Sequence, residues 1–352
     1  MSGLIDSIGN SSGTWLAADG PEPGIVFSSR VRLARNLMNM LFAPKATPGE
    51  QKTLADFVRN GVQKCPSLAH LTFIDFSKLN KREKRFLMEG YCISREMAAS
   101  DGKKALLLSP DRQLSLMINE EDHIRVQSLV SGFQLPDAWQ KANAVDDELA
   151  QNMDFAFSDK WGFLTACPTN VGTGLRASVM AHLPALIMTR KIASAVHTVS
   201  KLGCTVRGIH GEGTDIMGDF FQISNQATLG QDEESLVGNV QRIAGELIAQ
   251  EKLARNTLLE QNRIQIEDRV GRALGILSRA RMLGLEETMS LLSAVRLGVC
   301  LGLAPHYPIS LINELMIQVQ PAHLELGSGR DLDPVALDGL RADIVQAALS
   351  RQ

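Results

Sequence analysis

The sequence predicts an α+β fold, in which a sheet with helices around it is followed by a region that is helical throughout. Three observations carry this prediction. Strand-like runs arrive in neighbouring groups and do not alternate strictly with helices, which favours segregated strands and helices. After Asp232 the apolar residues keep helical spacing. The length of 352 residues suits two domains or one large one.

The predicted sheet begins with three strand-like runs. These are residues 71–76, 105–108 and 114–118, and a Ser-Pro-Asp-Arg turn joins the last two. Helical spacing predicts helices over residues 53–64 and 78–89. Further along, the same spacing predicts one long helix over residues 177–202, which ends at Gly203, and strands are predicted over residues 206–210 and 220–224.

The helical region begins where Asp232 can cap a helix whose first turn carries Glu233 and Glu234. One face of that helix is apolar, with residues at helical spacing: Leu236, Val240, Ile243, Leu247 and Ile248. Further helices are predicted over residues 270–283, 286–297 and 309–319. We therefore expect a boundary near residue 255, between a catalytic domain (1–255) and a helical domain (256–352) whose leucine-rich faces form core or a dimer surface.

Composition argues against several classes of protein. The chain has 36 basic and 39 acidic side chains and is 44% hydrophobic, which disfavours a disordered protein and binding of nucleic acid or membrane by the whole chain. We find no export signal and no run of about 18 apolar residues. Five scattered cysteines without a Cys-x-x-Cys pair disfavour a zinc knuckle or redox motif. We expect a cytoplasmic protein without nucleic-acid or membrane partners.

Arginine outnumbers lysine by 23 to 13, and guanidinium groups suit bidentate contacts to phosphates or carboxylates. Arg30 and Arg32 fall on one side of a strand of period two, while Val31 and Leu33 face the other way. Two guanidinium groups on one face can hold a polyanion. The alternatives are a solvated edge strand for this segment and a high-GC genome for the arginine excess.

An acidic turn is expected directly after the strand at residues 114–118. Its three consecutive acids precede His123 and Arg125, which fits either a guanidinium or metal site or a solvated turn. His123 is either a catalytic base or, more simply, a local hydrogen-bonding partner.

Two glycine-containing segments add potential ligand contacts. Residues 165–178 set Cys167 before a loop and Arg176 at the expected start of a helix, where the dipole favours phosphate. The alternative for Cys167 is a small buried apolar residue. Residues 207–213 place an arginine, a histidine and Glu212 among three glycines at a strand end, which marks either close approach to a ligand or a simple turn. Residues 165–178 match neither a Walker loop nor a Rossmann fingerprint.

Taken together, these segments resemble the ATP:guanido phosphotransferases, or phosphagen kinases. The resemblance extends from about residue 24 to residue 320 and is carried by the strings at 28–35, 119–125, 167–177 and 207–212. It implies a phosphagen-kinase-like catalytic domain, with an antiparallel sheet flanked by helices, that binds ATP with Mg²⁺. The ion is expected on phosphates and water, without a dedicated protein ligand.

The resemblance also implies site residues. Glu121 and Glu212 match the carboxylates that hold the acceptor guanidinium, and Cys167 matches the active-site cysteine. The nucleotide site is matched by Ser28, Ser29, Arg30, Val31, Arg32, Arg125, Arg176, Ala177, Ser178, Val179, Met180, Arg207, Gly208, Ile209, His210, Gly211 and Glu212.

Within the family, the resemblance favours the bacterial protein arginine kinase branch. The segment that contains Arg30 and Arg32 begins at Ser28, so we expect no room before it for an added N-terminal helical domain. This branch implies transfer of the γ-phosphoryl of ATP to arginines in proteins, which marks them for quality control. The implied partners are arginine-bearing proteins, a Clp-type protease or unfoldase, an activator protein and a second copy of the chain. The alternatives are a small-molecule guanidino kinase and a catalytically silent adaptor that binds nucleotide or phosphoarginine.

Two positions depart from the branch. Tyr91 stands where relatives carry a histidine near the nucleotide, so we expect a change in nucleotide affinity. In the tail, the Arg-Asp-x-x-Arg-Ala pocket for phosphoarginine retains Asp338 and Arg341 but has Leu337 as its first residue. We expect allosteric feedback by phosphoarginine to be weakened.

Overall fold

The computed structural model describes residues 13–208 and 217–350. The strands in these ranges are β1 (Val26–Arg35), β2 (Thr72–Asp75), β3 (Ala105–Leu108), β4 (Leu114–Ile118), β5 (Ile124–Ser131), β6 (Phe157–Ser158), β7 (Gly162–Phe163), β8 (Leu175–His182), β9 (Cys204–Gly208) and β10 (Phe220–Asn225). The α-helices are α1 (Pro48–Val62), α2 (Lys81–Glu89), α3 (Arg95–Ala99), α4 (Leu135–Ala150), α5 (Pro184–Met188), α6 (Ile192–Lys201), α7 (Glu233–Arg279), α8 (Leu285–Cys300), α9 (Ile309–Gln318), α10 (Pro321–Ser328) and α11 (Pro334–Leu349).

Eight strands form one sheet in the order β2-β3-β4-β5-β1-β8-β10-β9, and every neighbouring pair is antiparallel. Strand β1 lies at the centre, where Arg32 is opposite Arg176 on one side and Gln127 on the other. The prediction of an α+β fold, with an antiparallel sheet flanked by helices and a helical region after it, is confirmed.

The two faces of this sheet differ because side chains alternate along each strand. On the packed face, apolar residues join the core formed with α1, α4, α6 and the first half of α7: Val31, Leu33, Val126, Leu175, Ala177, Val179 and Ile223. The alternate positions of the same strands carry the polar residues of the second face, which we call the open face. Burial of the apolar side chains on the packed face therefore fixes the position of the polar side chains on the open face.

The open face is covered in two places. Near the start of β1, Phe27, Met180 and Phe220 pack under α8, α9 and α11 in a second core. Over β3 and β4, Leu106 and Met117 pack under α2, α3 and α10 in a third core. The arginine-bearing part of the sheet lies between these two cores.

Residues 177–202 do not form the single helix that their spacing predicts. Residues Leu175–His182 form the strand β8, and two short helices, α5 and α6, follow Pro184. Alanine, leucine and methionine favour a helix locally, but pairing with β1 and β10 on both sides overrides that preference. Arg176 therefore lies on a strand, and the expected contribution of a helix dipole at Arg176 is wrong.

The helix α7 runs for 47 residues, from the sheet into the C-terminal region. Asp232 caps it as predicted, since its side chain accepts a hydrogen bond from the Ser235 amide at 2.7 Å. The helix expected separately at 270–283 is the end of α7, which has a kink at Asn262. The division near residue 255, which remains a proposal, lies inside this helix. Within the described ranges, no helix combines the length and apolar character of a membrane span.

A buried hydrogen-bond network joins the sheet to α8. Arg296 donates to Nδ1 of His182 at 3.0 Å, so Nε2 carries the proton and faces Ser293 Oγ at 2.8 Å. Ser293 in turn donates to Asp219 at 2.6 Å. Burial, together with the charges of Arg296 and Arg255, holds the pKa of His182 well below its usual range.

We predict that this histidine makes stability fall in mild acid. The unfolded chain binds a proton at His182 below a pH of about 6.5, whereas the folded chain does not, so its contribution is complete above that pH and is lost as the pH falls. The loss approaches about 1.4 kcal/mol per pH unit. The free energy of unfolding, measured with urea at pH 7.5, 6.5 and 5.5, should fall less steeply with decreasing pH for His182→Gln than for the natural chain. Equal slopes would contradict the assignment.

Candidate active site

A cavity of about 720 Å³ opens on the uncovered part of the open face. Its floor comes from β1, β5, β8, β9 and β10, and its walls come from residues 88–96, the acidic turn, the Cys167 loop and the C-terminal helices. This volume is in the range of small-molecule binding sites.

Five arginines share the floor of this cavity: Arg30, Arg32, Arg125, Arg176 and Arg207. Two of them donate to uncharged groups of β10, namely Arg30 to Gln222 at 2.8 Å and Arg176 to Ser224 at 3.3 Å. Burial and the neighbouring arginines lower the pKa of Arg30 to about 10, although Tyr91 opposes the shift, and they lower the pKa of Arg32 well below its usual range. An anion with several charges would stabilise these guanidinium groups.

The acidic turn holds Arg125 between two carboxylates. Glu120, whose side chain is fully buried, accepts from Arg125 at 2.7 Å, and Glu121 accepts at 3.0 Å. Glu120 also accepts from the Ser94 hydroxyl and, at 3.0 Å, from the Glu121 amide. Glu121 is partly exposed and lines the cavity, so Glu120 orients the turn while Glu121 is accessible to a ligand.

Asp122 connects the acidic turn to the Cys167 loop. Its buried carboxylate accepts from Asn36 and from the Ala166 amide, both at 2.7 Å. Cys167 follows directly, lines the cavity, and has its Sγ 3.0 Å from the Thr169 hydroxyl. The structure thus places Cys167 and Glu121 on the wall of the same cavity. Glu120 and Asp122 were missed by sequence reasoning, although the run of three acids could have indicated supporting carboxylates.

His123 has a local structural role. Its Nδ1 accepts from the Leu37 amide at 2.9 Å, and Nε2 lies 2.8 Å from the Leu41 carbonyl. Burial lowers its pKa. Because both ring nitrogens are bonded to the backbone, this histidine is the hydrogen-bonding partner expected for such a turn.

The remaining residues expected at the nucleotide site fall into four groups. Met180 and Gly208 line the cavity with the arginines, and Ser28 and Ser178 border a small space beside Tyr91. The side chains of Ser29, Val31, Ala177 and Val179 are buried, the last three of them in the packed-face core. Ile209, His210, Gly211 and Glu212 lie outside the described residues.

Asp338 and Arg341 lie in the helical region, away from the cavity lining. Arg341 is buried and donates to the carbonyls of Val319 and Leu283 at 3.0 and 2.6 Å, and to Asp338 at 2.5 Å. These bonds connect α11 to the start of α8 and the end of α9.

Comparisons with known proteins agree with this arrangement. Residues 54–254 match the family model described as ATP:guanido phosphotransferase, C-terminal catalytic domain, and residues 263–352 match the protein-arginine kinase McsB C-terminal domain. The chain is 44% identical over 351 residues to a protein-arginine kinase of Symbiobacterium thermophilum, with 99% of each chain covered. It is 42% identical to one of Halothermothrix orenii, again with 99% coverage of both.

A solved structure shares the fold of the catalytic part. The crystal structure of lombricine kinase aligns with a TM-score of 0.57 at 26% identity and covers 65% of this chain and 66% of that chain.

We predict that the arginines of the cavity floor bind inorganic tripolyphosphate. Arg32→Gln should weaken this binding by roughly one to two orders of magnitude, because it removes a charge-assisted contact of about 1.5 to 3 kcal/mol. Arg263→Gln, an equal charge change on the exposed face of α7, is the matched control for calorimetry. Equal affinities for both variants would contradict the role of the arginines.

Proposed function

We infer the activity of this chain from a family to which it belongs, the ATP:guanido phosphotransferases, and within them the protein-arginine kinases. The proposed reaction transfers the γ-phosphoryl group of ATP to the guanidinium of an arginine in a protein. The observation that supports it best is a single cavity whose arginine floor meets a wall carrying Glu121 and Cys167.

The arginine floor fits the phosphates of ATP. Arg30, Arg32, Arg125, Arg176 and Arg207 offer forked donors to the phosphate oxygens and to the charge that spreads over them during transfer. Mg²⁺, when bound, would neutralise phosphate charge. Among the described residues no group of three metal-ligating side chains occurs, so we propose that phosphates and water hold the ion.

The acceptor end must deprotonate and orient a guanidinium. The pKa of a free guanidinium lies above about 12, so a guanidinium nitrogen attacks only when a carboxylate positions it and takes a proton. We assign this role to Glu121, whose carboxylate already binds the guanidinium of Arg125 at 3.0 Å, with Glu212 as the second carboxylate. The acceptor nitrogen bonds to the γ-phosphorus while the bond to the β,γ-bridging oxygen breaks, which leaves ADP.

We assign Cys167 to substrate orientation without a covalent intermediate. Its backbone carbonyl accepts from Thr165 at 2.8 Å, and the Ala166 amide before it is held by Asp122. The loop is thus fixed to the acidic turn, which keeps the thiol near Glu121 during the reaction.

The wider role is proposed from the protein arginine kinase branch. We propose that the marked proteins are passed to a Clp-type protease or unfoldase, that an activator protein stimulates the kinase, and that the protein acts in the cytoplasm. We also propose a homodimer formed through the helical region. This is supported by exposed apolar side chains there, namely Ile264, Met282 and Val335.

Two other functions can be separated from this one by experiment. The protein should be incubated with Mg-ATP and either free arginine or an unstructured arginine-rich protein. Acid-labile phosphate on protein arginine supports the proposal, faster phosphorylation of free arginine supports a small-molecule guanidino kinase, and binding without transfer supports a silent adaptor.

We predict that Glu121→Gln lowers the transfer rate by about 10² to 10⁴, because the amide cannot accept the proton. ATP affinity should change much less than the rate, since Glu120 still binds Arg125 at 2.7 Å and the variant removes a proton acceptor and not a phosphate contact. Glu246→Gln, on the exposed surface of α7, is the matched control. Rates from phosphoarginine formation and affinities from calorimetry check both parts, and full activity of Glu121→Gln would contradict the assignment.

We predict that free phosphoarginine stimulates this enzyme little and that Leu337→Arg strengthens the response. The added guanidinium supplies one phosphate contact and should tighten binding by roughly one to two orders of magnitude. Ala347→Arg adds the same charge at an exposed position of α11 outside the proposed dimer surface and serves as the control. Strong stimulation of the natural chain would show that the pocket works without a first arginine.

A further inference from the structure

The cavity changes in chemical character from one end to the other. Glu121 and Cys167 belong to its polar wall, and the arginines lie on its floor. The other end is apolar and aromatic. It is lined by Phe27, Tyr91, Met180 and Phe220 and by four residues of the C-terminal region, Met289, Met316, Ile317 and Gln320.

The order of the cavity-lining residues along β1 places the apolar end, the arginines and the polar wall one after another. Phe27 comes first, then Arg30 and Arg32, and finally Ala34, which is opposite Arg125. At about 3.3 Å per residue, the seven steps from Phe27 to Ala34 cover roughly 23 Å. A ligand that fits this path is elongated, with an apolar ring system at one end and negative charge beyond it.

The C-terminal residues form a built wall at the apolar end. Met289 comes from α8, Met316 and Ile317 come from α9, and all three are buried in the core that also contains Phe27 and Phe220. Phe27 and Phe220 meet edge to face with centroids 5.1 Å apart. This wall is packed directly on the sheet, so it has a fixed position relative to the arginines.

Two further residues, Arg296 and Gln320, hold this wall in position. The Arg296 guanidinium of α8 lies 5.9 Å from the Phe27 ring and 5.6 Å from the Phe220 ring. Gln320, which precedes α10, donates to the Met316 carbonyl at 3.1 Å and has its amide nitrogen 3.8 Å from the Met289 sulfur. Methionine sulfurs make favourable contacts with aromatic rings and adapt to a flat ligand.

We propose that the C-terminal helices form one wall of the nucleobase subsite, and that Met289, Met316, Ile317 and Gln320 thereby determine nucleotide affinity. The proposal rests on the proposed function, because it concerns the same ATP. The arginines bind the phosphates and the helical wall binds the base. The helical region therefore acts on the binding of ATP and not on the transfer step.

The test compares two probes, ATP and inorganic tripolyphosphate, which lacks a base. Ile317→Phe fills the apolar end, and Leu315→Phe adds the same bulk in the same helix at a buried position outside the cavity lining. We expect Ile317→Phe to weaken ATP binding at least about tenfold, with tripolyphosphate binding within about twofold and kcat retained at saturating ATP. Leu315→Phe, the control, should change the affinities for ATP and for tripolyphosphate to the same extent.

A second measurement uses the unmodified protein in case Ile317→Phe does not fold. With ¹³C-labelled methionine methyl groups, ATP should shift the Met289 and Met316 signals, which Met289→Leu and Met316→Leu assign, while tripolyphosphate leaves them in place. The proposal would be overturned if Ile317→Phe lost affinity for ATP and tripolyphosphate equally, if its ATP affinity were unchanged, or if ATP did not shift the methyl signals. Normal ATP binding without phosphate transfer to protein arginine would instead overturn the proposed function.

Discussion

Five guanidinium groups on one face of one sheet repel each other, and the rest of the structure keeps them there. The opposite face supplies the stabilising free energy, because Val31, Leu33 and their neighbours bury apolar surface against α1, α4 and α7. Burial lowers the pKa of Arg30 and Arg32, because it disfavours the charged form of each guanidinium. Glu120 and Glu121 offset part of this charge by binding Arg125. Burial of apolar surface on one face of the sheet therefore offsets the charge repulsion on the other face.

Much of the fold could be predicted from local sequence. The strands at 105–108 and 114–118 were located to the residue, because a short turn joins two runs of apolar residues. The placement of Arg30 and Arg32 on one face followed from the period of two alone. The strand β8 could not be predicted, since its neighbours β1 and β10 are distant in sequence and its composition favours a helix. Local propensity is decisive only where tertiary pairing does not oppose it.

For the candidate site, family resemblance pointed to residues whose side chains define a motif, and the described ones that line the cavity include all five arginines, Glu121 and Cys167. It could not indicate the residues that support them. Glu120 acts through Ser94, and Asp122 acts through Ala166. Such contacts join segments 26 and 44 residues apart, so the run of three acids can indicate that supporting carboxylates are present but not which segments they bind. The helical residues at the apolar end of the cavity could not be predicted for the same reason, since they are distant in sequence from the strands they contact.

The long helix α7 has a consequence for how the molecule comes apart. Its 47 residues form two helical segments that meet at the kink at Asn262. Its first half supplies Leu236, Val240 and Leu247 to the core under the sheet, and its end supplies Ala273 and Leu277 to the core under the C-terminal helices. Because α7 contributes side chains to both cores on the two sides of its kink, loss of either core exposes part of the other. Heat or denaturant that melts one of the two parts should therefore also destabilise the other.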